Sequence, residues 1–129
     1  MLIVIDTETT GLTREEDARP WQIAAVVLAP DGREVCTFNG RGCPDVWNAN
    51  ADEALAVSGT TAAYVQSLPQ IAPIARAFAA WLSAFPDAYL TAYRIEFDRE
   101  MLRRDGVVSN RWTRCLKEAA AESKVHPVR

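Results

Sequence analysis

The sequence predicts an α/β fold: a mixed sheet, with a three-stranded antiparallel meander plus parallel strands, flanked by helices. Three observations predict it. A continuous aliphatic run, Leu2 to Ile5, opens the chain at strand length. The tetrapeptide Ala29-Pro30-Asp31-Gly32 joins two further strand-like runs. Ile71, Ile74, Ala75, Phe78, Leu82 and Phe85 fall at helical spacing.

Taken in order, Leu2–Ile5 suits a strand buried on both faces that ends at Asp6, and the acidic stretch Glu15, Glu16, Asp17 separates it from a second apolar run, Trp21 to Leu28. Pro30 suits the second position of the following turn and Gly32 a positive φ, so Arg33 to Phe38 returns as the third strand of a hairpin. Residues 39 to 50 read as loop, and Ala51 to Val57 as a short helix ended by Ser58-Gly59. The amphipathic helix from Ile71 stops at Pro86. Tyr89 to Tyr93 reads as a short strand, Phe97 to Arg104 as a helix carrying Phe97, Met101 and Leu102 on its apolar side, and Trp112 to Ser123 as a last helix. With this order of elements, helices cover a mixed sheet.

A length of 129 residues predicts one domain spanning 1–129, and 49% hydrophobic with 24% charged residues excludes a disordered chain. No apolar run approaches the roughly 18 residues that span a bilayer, and no basic stretch precedes the apolar start, so neither a membrane partner nor a signal peptide is expected. Cys36, Cys43 and Cys115 are odd in number and lack metal-type spacing, which fits reduced thiols and a cytoplasmic protein. The net charge of −3 argues against binding nucleic acid mainly by neutralising many phosphates. Positive charge gathers late, residues 94–129 holding 9 basic and 6 acidic side chains. A solvated helix face and a phosphate-facing surface both account for that bias.

Asp6 and Glu8 end the first strand one residue apart, and on an extended chain such residues share a face. Two carboxylates side by side repel, and a divalent cation offsets the repulsion. A solvated strand end is the competing explanation. Asp98 opens a helix, where the dipole alone would favour an acid.

The segment Ile3-Val4-Ile5-Asp6-Thr7-Glu8-Thr9-Thr10-Gly11-Leu12 closely resembles the first motif of the DEDD-type 3′-to-5′ exonucleases, the family of the bacterial DNA polymerase III proofreading subunit. Ala54-x-x-Val57-Ser58-Gly59-Thr60-Thr61 looks like the stretch before that family's long helix, and Thr91-Ala92-Tyr93-Arg94-Ile95-Glu96-Phe97-Asp98-x-x-Met101-Leu102 like its second motif. The resemblance implies a ribonuclease H-like fold and hydrolysis of terminal phosphodiester bonds of single-stranded or frayed DNA, with DNA favoured over RNA. It implies two Mg²⁺ or Mn²⁺ ions about 3.5 to 4 Å apart. Asp6 would bridge both, Glu8 would serve the ion that activates water, and Asp98 would hold the other. It sets Thr9, Thr10 and Leu12 against the terminal nucleotide, with Leu12 under the base, and implies a role in DNA replication and repair with a polymerase or other replication partner.

The sequence departs from the pattern at its end. The family's third motif places a His or Tyr four or five residues before a last metal-binding Asp, but no Asp follows Asp105, and the one histidine, His126, lies three residues from the last residue given. Three explanations compete: a chain lacking the helix that carries the last motif; replacement of the ligand by Glu122 or Glu118, which share a helix face with His126 as general base; and a catalytically impaired nucleic-acid-binding or polymerase-associated module. Arg94 stands where the family commonly has Asn, and suits a substrate phosphate or a neighbouring acid. Arg99, Arg103, Arg104, Arg111 and Arg114 are candidates for a wider phosphate-contacting surface, and Trp47, in a polar loop, for stacking on a base.

Overall fold

The structure, a computed structural model, describes residues 1–113. Its elements are β1 (Leu2–Thr9), β2 (Pro20–Leu28), β3 (Glu34–Arg41), α1 (Ala51–Val57), α2 (Ala62–Gln66), α3 (Ile71–Ser83), β4 (Tyr89–Thr91) and α4 (Ile95–Arg104). The strands form one mixed sheet in the order β3-β2-β1-β4, with β1 antiparallel to β2 and parallel to β4. The expected α/β class and meander are therefore both present.

Alternation of side chains explains the core. Ile3 and Ile5 of β1 join Ile23, Ala25 and Val27 of β2 on one sheet face, where α3 lays Ala75, Phe78 and Leu82 across them. Rings extend this layer: Phe38 of β3 meets Phe78 at 5.0 Å between centroids, and Phe78 stacks on Trp81. Gly32 takes φ +86° in the β2–β3 turn, as the sequence predicts. A second cluster of Trp21, Ala51, Leu55 and Val65 fixes α1 and α2 beside the start of β2.

Several expectations need correction. β1 is fully buried on one face only, since Leu2 and Val4 are half-buried while Ile3 and Ile5 are sealed. It runs on to Thr9 because backbone pairing to β2 continues past the apolar run, Asp6 opposite Ala24 and Glu8 opposite Gln22. β3 runs to Arg41 for the same reason, its pairing extending to Gln22. α2 is not expected from the sequence; it is five residues long and is capped by Thr61, whose hydroxyl accepts from the Tyr64 amide. α3 ends at Ser83, β4 at Thr91, and α4 starts two residues earlier than predicted. Trp112 does not begin a helix: it bridges Leu90, with the Leu90 amide donating to Arg111 O and the Thr113 amide to Leu90 O. From Arg114 onward the predicted last helix, with Cys115, Glu118 and Glu122, and His126 after it, lie outside the described residues.

Candidate active site

The site sits where β1 runs on past the end of β4. β4 pairs only with Leu2 to Val4, so beyond Val4 the edge of β1 is left open to the next element of the chain. That element is α4, entered through Arg94, whose carbonyl accepts from the amides of Phe97 and Asp98. Crevices at the carboxyl ends of parallel strands are where α/β sheets place their ligands.

Asp6 and Glu8 project from the sheet face opposite Ile5 and Thr7, as period-two alternation requires. Asp6 is exposed and Glu8 half-buried. Burial pushes the Asp6 carboxyl above its ordinary range, the Glu8 charge adds to the rise, and a bond from the Thr7 amide opposes it. Glu8 Oε2 accepts a hydrogen bond from the Ser58 hydroxyl at 3.0 Å, which ties β1 to the end of α1.

Asp98 reaches β1 from α4. It is only 5% exposed, and its Oδ1 accepts from the Thr7 amide at 3.1 Å and the Thr7 hydroxyl at 2.7 Å. Burial pushes its carboxyl up to about 6; the charges of Asp6 and Glu8 push the same way, while both Thr7 bonds oppose it. A helix-dipole or solvated role does not describe a buried acid that bonds a strand 91 residues away. The three acids are thus within electrostatic reach of one another, and among the described residues no basic side chain pairs with any of them.

That donor set suits a hard divalent cation, which prefers oxygen ligands and reverses the mutual repulsion. Among the described residues no three His, Cys, Asp or Glu side chains stand close enough to form a finished metal cage. The site is therefore an open cluster on two elements.

Beside it lies a pocket of about 500 Å³, within the size range of ligand sites. Glu8, Thr9, Leu12, Val57, Ser58 and Phe97 are among the residues that line it. Leu12 is 48% exposed, an apolar side chain presented to the opening. Thr9 and Thr10 behave as turn residues in their side chains: the Thr9 hydroxyl donates to Gly11 O at 2.7 Å, and fully buried Thr10 exchanges hydrogen bonds with Arg19 through both amide and hydroxyl. Thr10 is not part of the pocket wall.

Other expected residues fall elsewhere. Arg94 is exposed and makes no ion pair among the described residues. Arg103 and Arg104 both pair with Glu100, Arg103 at the exposed surface, while Arg104 and Arg111 clasp backbone carbonyls and so have their guanidiniums engaged within the fold. Trp47 packs half-buried against the Trp21–Leu55 cluster, outside the pocket lining. Phe97 and Ser58 belong to family-like motifs that give them no role in the sequence, and only the fold brings them to one pocket.

A family model described as exonuclease, RNase_T, matches residues 3–110. The chain belongs to the exonuclease family. The three acids and the neighbouring pocket all fall within the matched span, so this exonuclease-family domain is the DEDD-type, ribonuclease H-like unit that the first and second motifs predict. Among solved structures, exonuclease I from Methylocaldum szegediense shares 23% identity at a TM-score of 0.69, covering 81% of this chain and 22% of its own. E. coli exonuclease I in complex with a dT13 oligonucleotide shares 21% identity at 0.68, covering 81% and 23%. An ExoI/SSB-Ct complex gives the same values. At such identity the likeness is one of fold, and the chain spans less than a quarter of these proteins' length. No curated protein sequence matches it.

Proposed function

We propose that this exonuclease-family domain removes nucleotides from the 3′ ends of single-stranded or frayed DNA by metal-dependent hydrolysis of the last phosphodiester bond. The observation that carries the reading is the approach of Asp98 on α4 to Asp6 and Glu8 on β1, beside a pocket of nucleotide size. Asp6, Glu8 and Asp98 would hold Mg²⁺ or Mn²⁺, which supplies charge stabilisation at the phosphate and a more acidic water. The protein's own residues do the placing. Thr7 fixes Asp98 against β1 through two hydrogen bonds. Ser58 fixes Glu8. Leu12 and Phe97 offer apolar surface to a terminal base, and Thr9 lines the same pocket.

The acidic overall charge fits capture of a short 3′ end over a long electrostatic track. Arg94, exposed beside α4, is the cation we assign to a substrate phosphate, and His126 the general base, with proton transfer near neutral pH. A polymerase or replication partner is part of the same proposal, as is a cytoplasmic setting. The test is digestion of a 5′-labelled single-stranded oligonucleotide with Mn²⁺ by the 129-residue chain. A ladder shortening from the 3′ end and lost in Asp6→Ala is expected; an intact oligonucleotide, or a ladder that survives Asp6→Ala, overturns the reading.

A further inference from the structure

Leu12 lines the pocket from the segment between β1 and β2, residues 10 to 19, which has little regular structure of its own. Its side chain is half exposed, so its own burial does not hold it in place, although Ala18 further along the segment is fully buried. Polar groups from elsewhere do. The Glu15 carboxylate accepts from the Leu12 amide at 2.9 Å on Oε1 and from the side-chain amides of Asn48 and Asn50 at 3.1 and 3.2 Å on Oε2.

The buried Asn48 amide uses its second hydrogen on Thr10 O at 2.7 Å, so both of its donors go to this one segment. A Cβ on Gly11 would run into the Asn48 amide and the Glu15 carboxylate, which is why glycine fits there. From the other side the Arg104 guanidinium donates to Glu15 O at 2.8 Å, Ala18 O at 3.0 Å and Thr13 O at 2.7 Å. Glu100 orients that guanidinium at 2.9 Å. Charged donors make these bonds stronger than neutral ones.

The anchors come from the elements that build the rest of the site. Arg104 ends α4, the helix whose first half carries Phe97 and Asp98. Asn48 precedes α1, whose last turn carries Val57 and leads to Ser58. We infer that Glu15, Asn48 and Arg104 form a positioning clamp that fixes Leu12 relative to Glu8 and Asp98, and so sets how deeply the 3′-terminal nucleotide seats. The inference rests on the exonuclease reading. A clamp that acts through Leu12 has no further effect once Leu12 is truncated, whereas a purely structural network does.

The experiment is a double-mutant cycle of Asn48→Ala and Leu12→Ala in the full chain, with KM and kcat measured on a single-stranded oligonucleotide with Mn²⁺. Each single variant is expected to raise KM about tenfold with kcat within about twofold, and the double variant to be no worse than the worse single. Hydrogen exchange supplies a second readout: the Leu12 amide should lose protection in Asn48→Ala while Ile3 and Ile5 keep theirs. Should Asn48→Ala fail to fold, Glu15→Gln replaces it, because it keeps Oε1 as acceptor and turns a donor towards Asn48. An unmoved KM, or a double variant near a hundredfold as independent effects would give, overturns the clamp alone. A wild-type chain that degrades nothing overturns the exonuclease reading and the clamp with it.

Discussion

At Asp98 burial and hydrogen bonding act against each other. Burial favours the neutral acid and the two Thr7 donors favour the carboxylate, and burial outweighs them, pushing the group up to about 6. An acid whose folded pKa is raised binds its proton more tightly in the native state, so native stability is highest below the unfolded value and falls as pH climbs to the folded value. Between about pH 4 and 6 the metal-free protein should lose up to about 3 kcal/mol on this account. Urea midpoints at pH 5 and 7 check this, and Asp98→Asn should flatten the difference. Asp105, also pushed to about 6 by burial, contributes a remainder of the same sign. Thr7→Val removes the 2.7 Å donor while keeping the amide bond, and should weaken Mn²⁺ binding about 10- to 100-fold, as losses of groups that orient a ligand commonly do. An unchanged Mn²⁺ titration would show that Asp98 needs no orienting. Asp6 and Glu8 were legible in the sequence because period two alone places them together. Asn48 was not, because its partners lie 33 and 38 residues away and nothing local marks a buried amide in a polar loop.

The elements most legible in the sequence were those whose burial is periodic. α3 was readable because Ile71, Ala75, Phe78 and Leu82 repeat along one face and that face meets the sheet. Phe78, fully buried among Phe38, Trp81 and the β-strands, should cost about 3 to 5 kcal/mol on substitution to Ala, measured by denaturant unfolding. A loss under about 1 kcal/mol would place the core elsewhere. Strand ends were less legible, because β1 and β3 continue through Asp6–Thr9 and Asn39–Arg41 on backbone pairing that hydropathy does not reveal. α2 escapes a sequence reading since five residues cannot show a helical period. Trp112 has helix-like neighbours, yet its backbone adds to the edge of β4.

For the whole molecule, the fold explains why two motifs 90 residues apart belong to one site. The parallel pairing of β1 with β4 sets the start of the second motif beside the start of the first, Thr91 opposite Val4, and Thr7 joins β1 to Asp98. The basic bias of the C-terminal third left a solvated face and a phosphate-facing surface open; within it Arg104 turns to carbonyls of the segment beside the site, Arg111 to carbonyls between α3 and β4, and Arg103 pairs with Glu100 at the surface. Among the described residues no helix is long and apolar enough to cross a membrane. The central claim is that Asp6, Glu8 and Asp98 act as one cation site. Calorimetric titration of the chain with Mn²⁺, in the presence of a mononucleotide, tests it most directly. Binding that is abolished in Asp6→Ala and sharply weakened in Asp98→Asn is predicted; binding that both variants retain, or none in the wild type, would contradict it.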